Sequence, residues 1–159
     1  MPRISVQACS YIPASARVVY GILADYHEGH PSILPPDSFA DYVVEAGGRG
    51  AGTRIRFVMP GVGKPRQFHM EVSEPEPGRV LRETDLKTGT ITTFTVEPTD
   101  DASICRVIMR SEWRRGGVMG WVERWFAKPF LRRIYIEELH NLAVKVRGSR
   151  ADVRECELA

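Results

Sequence analysis

The segment that decides the fold starts as Val107-Ile108-Met109-Arg110-Ser111-Glu112-Trp113, breaks at Gly116-Gly117, and continues as a helical pattern to Val146. In its first part Cys105, Val107, Met109, Ser111 and Trp113 alternate with Arg106, Ile108, Arg110 and Glu112, the period of a strand with one buried face. After the glycines, Val118, Val122, Phe126, Phe130, Ile134, Leu139, Leu142 and Val146 recur every three to five residues as one apolar stripe. Pro129 lies inside that stripe and predicts a kink or short break near Ala127-Lys128.

The chain before this segment is rich in strands. Ile4, Val6 and Ala8 alternate with polar neighbours until Ile12-Pro13-Ala14-Ser15 ends the run. Ser15 or Ala14 opens a helix with Val18, Val19, Ile22 and Leu23 on its apolar face. Tyr26 to Pro36 holds three prolines, which predicts a second, short or broken helix. Strands are then expected over Phe39–Ala46, Thr53–Met59, Arg66–Ser73, Val80–Thr84, Thr90–Glu97 and Ile104–Trp113, separated by turns rich in glycine, proline or aspartate. One long helix after such a body predicts an α+β architecture: a curved antiparallel sheet of about seven strands around the C-terminal helix, with room for a ligand between them. A single domain covers 1–148. Residues 149–159 are polar and without period, and read as a disordered tail.

At 159 residues the chain is long enough to bury roughly two-thirds of its unfolded surface. Its formal charge of +2 is too small to argue for nucleic acid. Cys9, Cys105 and Cys156 lack zinc or framework spacing and read as reduced thiols of a cytoplasmic protein. No signal peptide and no bilayer-length apolar run is visible. Gly47-Gly48-Arg49-Gly50-Ala51-Gly52 joins two strands rather than a strand and a helix, so it is not a phosphate cradle. No cofactor or metal motif is present.

Three stretches carry a resemblance: Ile12-Pro13-Ala14-Ser15-Ala16-Arg17-Val18-Val19-Tyr20, the Asp25 that ends the first helix, and Leu139-His140-Asn141-Leu142. Together with the order of elements, they make residues 3 to 147 similar to the SRPBCC, or START-like helix-grip, superfamily. Within it the polyketide cyclase/dehydrase branch is the nearest likeness, because Phe39-Ala40-Asp41-Tyr42 resembles the aromatic-acidic-Tyr segment of some aromatase/cyclases. The resemblance implies a helix-grip fold with a hydrophobic cavity for a lipid, isoprenoid or polyketide. It also implies that Tyr42 lines the pocket. His30 stands where the family often has tryptophan, and the arginine that those cyclases place inside the pocket has no match.

Strict alternation sends Arg54, Arg56, His69, Glu71, Arg106, Arg110 and Glu112 to the outer sheet face. The candidate ligand-binding side chains are then Ile55, Phe57 and Met59; Phe68 and Met70; Thr92 and Phe94; and Val107, Met109, Ser111 and Trp113. Phe126, Phe130 and Ile134 face them from the helix. Such a lining favours apolar binding, with methionines adapting to the ligand's shape. Tyr42 and His30 are the candidate catalytic residues, Tyr42 as a proton donor or carbonyl anchor and His30 as an acid or base near neutrality. The expected function is therefore the binding, transport or presentation of a small hydrophobic molecule. A cyclase or dehydratase acting on a poly-carbonyl chain is the alternative. A third reading is a membrane-docked lipid or quinone chaperone, using Trp121, Arg124, Trp125, Lys128 and Arg132 at the start of the long helix.

Overall fold

The computed structural model describes residues 3–61, 64–114, 118–148 and 154–156; over 118–126 and 154–155 it describes the course of the backbone only. The first strand, β1 (Arg3–Ile12), leads through Pro13 into α1 (Ala16–Ala24). Ser15 caps that helix, its hydroxyl accepting from the Val18 N–H, an arrangement worth about 1 kcal/mol. Val19, Tyr20, Leu23 and Ala24 form its buried face, whereas Val18, expected there, is 52% exposed. The buried stripe is centred one step further round the helix. A turn over 25–30 leads into a 3₁₀ helix, Pro31–Ile33, which is the second, short helix that was expected.

Six strands follow: β2 (Ala40–Ala46), β3 (Arg54–Met59), β4 (Arg66–Glu76), β5 (Val80–Asp85), β6 (Ile91–Pro98) and β7 (Cys105–Arg114). They form one antiparallel sheet in the order β2-β3-β4-β5-β6-β7-β1, because β1 closes against β7 over its whole length. The outer face carries the expected charges as cross-strand pairs, among them Arg54–Glu71 at 3.3 Å and Arg56–Glu45 at 3.1 Å. Exposed pairs of this kind contribute less than about 1 kcal/mol each.

The long helix, α2 (Val118–Arg147), runs continuously through Pro129, so of the kink or short break expected there the break is absent. One missing backbone hydrogen bond does not interrupt a helix whose later turns are held by packing. Ile134, Leu139, Leu142 and Ala143 are buried, and the Asn141 amide donates to the Ile33 carbonyl at 2.9 Å. This docks α2 on the 3₁₀ turn.

Two features of the chain end were not expected. Arg154–Glu155 is not a disordered tail but a short strand, β8, antiparallel to β1 at Ser10 and Tyr11. That return brings Cys156 beside Cys9, with Cα atoms 5.6 Å apart, a separation that a disulfide can span. Two cysteines so placed can be joined, so they no longer argue for a cytoplasmic location. Cys105 is free and buried, and burial pushes its thiol up to about 11.

Gly29 decides how tightly the turn after α1 can close. A Cβ there would stand 2.4 Å from the Ile22 carbonyl oxygen, against backbone that cannot yield. Gly29→Ala is expected to cost about 1–3 kcal/mol and to displace His30, the next residue. A urea unfolding curve with an unchanged midpoint would contradict this account of the turn.

Candidate functional site

A cavity of about 500 Å³ lies between the inner face of the sheet and α2. Strand alternation builds its apolar wall: Ile55, Phe57 and Met59 from β3, Phe68 and Met70 from β4, Phe94 from β6, and Met109 and Trp113 from β7. Phe57 stacks on Phe68 with ring centroids 5.4 Å apart and meets Phe39 edge-on at 5.2 Å. Among the described residues no helix is long and apolar enough to cross a membrane.

The same alternation brings carboxylates inside. Leu81 on β5 faces inward, so Glu83 and Asp85 do too, and they are 5% and 1% exposed. Glu138 sits on the buried face of α2, one turn after Ile134 and Tyr135 and one before Leu142, and is 2% exposed. Glu83, Asp85 and Glu138 all line the cavity. A wall of apolar groups and hydroxyls was expected; this one also holds three buried carboxyls.

Each carboxyl has its own surroundings. Asp85 is satisfied: it accepts from the His69 and Thr88 N–H groups at 3.1 and 2.9 Å and from the Thr88 hydroxyl. It shapes the β5–β6 turn. Glu83 accepts a hydrogen bond from the Tyr26 hydroxyl at 2.8 Å, and the same oxygen faces His30 Nε2 at 3.6 Å. Burial raises the Glu83 carboxyl, and the His30 and Tyr26 contacts pull it back. Glu138 makes no hydrogen bond or ion pair among the described residues. Burial, then the charges of Glu83 and Glu137, push its carboxyl well above the usual range. Burial without a cationic partner thus favours its protonated form.

His30 is held by the turn that Gly29 permits. Its Nδ1 lies 2.8 Å from the Leu23 carbonyl, which can only accept, so that nitrogen carries the proton. Nε2 is left to face Glu83. The ring stacks on Tyr26 at 4.7 Å and meets Phe94 edge-on at 5.3 Å. The orienting partner that the sequence did not reveal is thus Leu23 on one side and Glu83 on the other.

Tyr42 enters through a bulge. The register of β2 against β3 slips between Ala40 and Val43, with Asp41 at φ 52°, and Tyr42 between them lines the cavity. Its hydroxyl donates to the Tyr26 carbonyl at 3.0 Å, which commits its proton to backbone. Burial first, then the charges of Glu83 and Asp25, raise its phenol far above the ordinary value. Thr92 and Ser111 also face inward but engage each other, their hydroxyls 2.6 Å apart, and Ser111 is further hydrogen-bonded to the Tyr135 hydroxyl. This chain of hydroxyls ties β6 and β7 to α2.

Of the expected binding residues, Val107 and Ile134 are buried in the core but outside the cavity lining. Val107 lies at the end of the sheet that α1 covers, where Val96 and Ile12 fill the space. Phe130 is half-buried and also outside the lining, and the helix contributes Ala127, Leu131, Tyr135 and Glu138 instead. The side chains of Phe126, Trp121, Arg124 and Trp125 lie outside the described residues. His27 is exposed, and Asp25 accepts from the backbone N–H groups of His27 and Glu28. No group of three His, Cys, Asp or Glu side chains converges as for a metal among the described residues.

The architecture recurs in solved structures. The KanY protein has a TM-score of 0.80 and 29% identity, covering 93% of this chain and 100% of its own. The Zhui aromatase/cyclase from Streptomyces gives a TM-score of 0.73 at 17% identity, over 92% of this chain and 94% of that one. Norcoclaurine synthase from Thalictrum flavum, in complex with dopamine and hydroxybenzaldehyde, gives 0.70 at 15%, over 95% and 90%. The last two likenesses establish the helix-grip fold alone. No curated protein matches the chain. Over residues 3–147 it matches the family described as polyketide cyclase / dehydrase and lipid transport, and to that family it belongs.

Proposed function

We propose that the cavity binds a small, largely apolar molecule bearing carbonyl or hydroxyl groups and moves protons on it, closing or dehydrating a poly-carbonyl chain. The observation that carries this reading is the placement of Glu83 and Glu138, both buried, in the wall of an otherwise apolar cavity. A cavity built only to hold a lipid gains nothing from two buried carboxyls, which cost several kcal/mol if they ionise without a partner, by the general magnitude of about 2–7 kcal/mol for an uncompensated polar group. In this reading the Glu83–His30 pair accepts a proton from the carbon between two carbonyls. That carbon attacks a carbonyl further along the chain, and Glu138 gives its proton to the oxygen that becomes hydroxyl. The pair then returns its proton to that hydroxyl, which leaves as water, while the Glu138 carboxylate takes a second C–H proton; the ring is dehydrated and both groups regain their starting states. Tyr42 steadies the turn bearing His30 through Tyr26, and the apolar wall folds the chain so that its reacting carbons meet.

The test is incubation with a soluble poly-β-ketone thioester, followed by mass spectrometry. A cyclised product lighter by one water is expected. Retention of the intact chain at the same affinity would instead make the protein a carrier, and failure to bind it or any neutral apolar dye would remove the small-molecule reading altogether.

A further inference from the structure

The cavity is polarised along its length. Its inner part holds Glu83 and Glu138, whereas the exposed part of its lining holds Arg66, Lys87 and Arg114. These cations come from three separate places: the start of β4, the β5–β6 turn and the end of β7. No exposed carboxylate is among the lining residues. Elsewhere on the sheet arginines are neutralised by neighbours, as in Arg79–Glu76 at 2.6 Å, Arg110–Glu112 at 2.8 Å and Arg106–Glu97 at 3.7 Å. Lys87 and Arg114 have no ion-pair partner among the described residues.

We infer that the ligand is an amphiphile whose anionic end, a carboxylate or phosphate, rests at the cavity mouth between Lys87 and Arg114. This rests on the small-molecule reading above and adds to it the charge and direction of the ligand. An anion is disfavoured in the opposite orientation, because the buried inner end would strip it of water and, among the described lining residues, offers no lysine or arginine in exchange. The neutral carbonyl or hydroxyl end therefore enters first. The mouth also draws such molecules from solution, an attraction that salt weakens.

The test uses displacement of Nile red, a neutral dye, by dodecanoate, dodecyl phosphate and methyl dodecanoate. The two anions are expected to bind roughly fivefold to tenfold tighter than the ester at low salt, the scale of one or two exposed ion pairs. The tighter of the two names the anion. In the Lys87→Gln/Arg114→Gln variant the preference should vanish while the ester's affinity stays unchanged, and this ester result shows that the variant is folded. Equal affinity of acid and ester for the wild type, or a preference that survives in the variant, overturns the anionic mouth but leaves the cavity reading standing. Failure of Nile red and all three amphiphiles to bind overturns both.

Discussion

Glu138→Gln is expected to lower turnover by about 10²–10⁴-fold while leaving ligand affinity close to that of the wild type. The amide matches the neutral acid in size and can still donate a hydrogen bond, but it has no proton to transfer. The variant should also betray its ionisation through stability. Burial, Glu83 and Glu137 raise the folded-state carboxyl of Glu138, so the folded protein holds a proton that the unfolded chain releases. The stability this contributes is complete below the unfolded carboxylate value of about 4.3 and is lost as pH rises through the folded value. Glu83 is shifted in the same direction and adds to the slope. The wild type should therefore lose stability from mildly acidic to alkaline pH more steeply than Glu138→Gln does. On the alkaline side the variant should be the more stable by about 1–2 kcal/mol, a typical single-residue effect. Urea midpoints for both proteins across that range decide the matter. Parallel curves would mean that Glu138 does not titrate in the fold, and with that its role as the acid would be lost.

Glu83→Leu is expected to be the most damaging single change in the site, costing about 3–5 kcal/mol, as when one member of a buried pair is removed. Tyr26 is completely buried and donates to Glu83; without it, the hydroxyl has no acceptor among the described residues. His30 loses the carboxyl that faces its Nε2, although its bond to Leu23 remains. Leucine supplies apolar volume and no acceptor. Adding Tyr26→Phe should recover part of the loss, because it removes the stranded hydroxyl, so the double variant should be less destabilised than the sum of the singles. Glu83→Gln keeps an acceptor for Tyr26 and should cost less. Simple additivity in the cycle would show that the two groups do not interact as their 2.8 Å separation requires.

Much of this molecule was legible because its signals are local. The alternation in 54–59 and 105–114 placed Phe57, Met109 and Trp113 on the inner face with no knowledge of the partner strands. Glu83 and Glu138 were missed because a charged residue was taken as a surface residue. The evidence was there in pattern: Leu81 shares the face of Glu83, and Ile134 and Leu142 bracket Glu138 on one side of a helix. Periodicity outranks charge when a group can be neutralised by burial. The partners of His30 were beyond reach for another reason, since Glu83 lies far along the chain and meets it only through the folding of the sheet. Cys9 and Cys156, separated by 147 residues, are a second case, for no local rule brings the end of a chain back to its first strand. At Pro129 a local rule allowed a break, and the helix nonetheless stays continuous.

The irregular pairing of β2 also governs how the molecule behaves in a crowded solution. β2 is the outermost strand on one side of the sheet, with one row of backbone groups facing no strand of its own chain. A long, flat strand in that position would be a template on which further copies could add and grow into fibrils. Here the pairing with β3 slips twice within seven residues, and Asp41 turns to positive φ, so no straight ladder is on offer. Asp41 and Glu45 add negative charge along the same flank. The bulge that carries Tyr42 to the cavity is in this way also a guard against polymerisation.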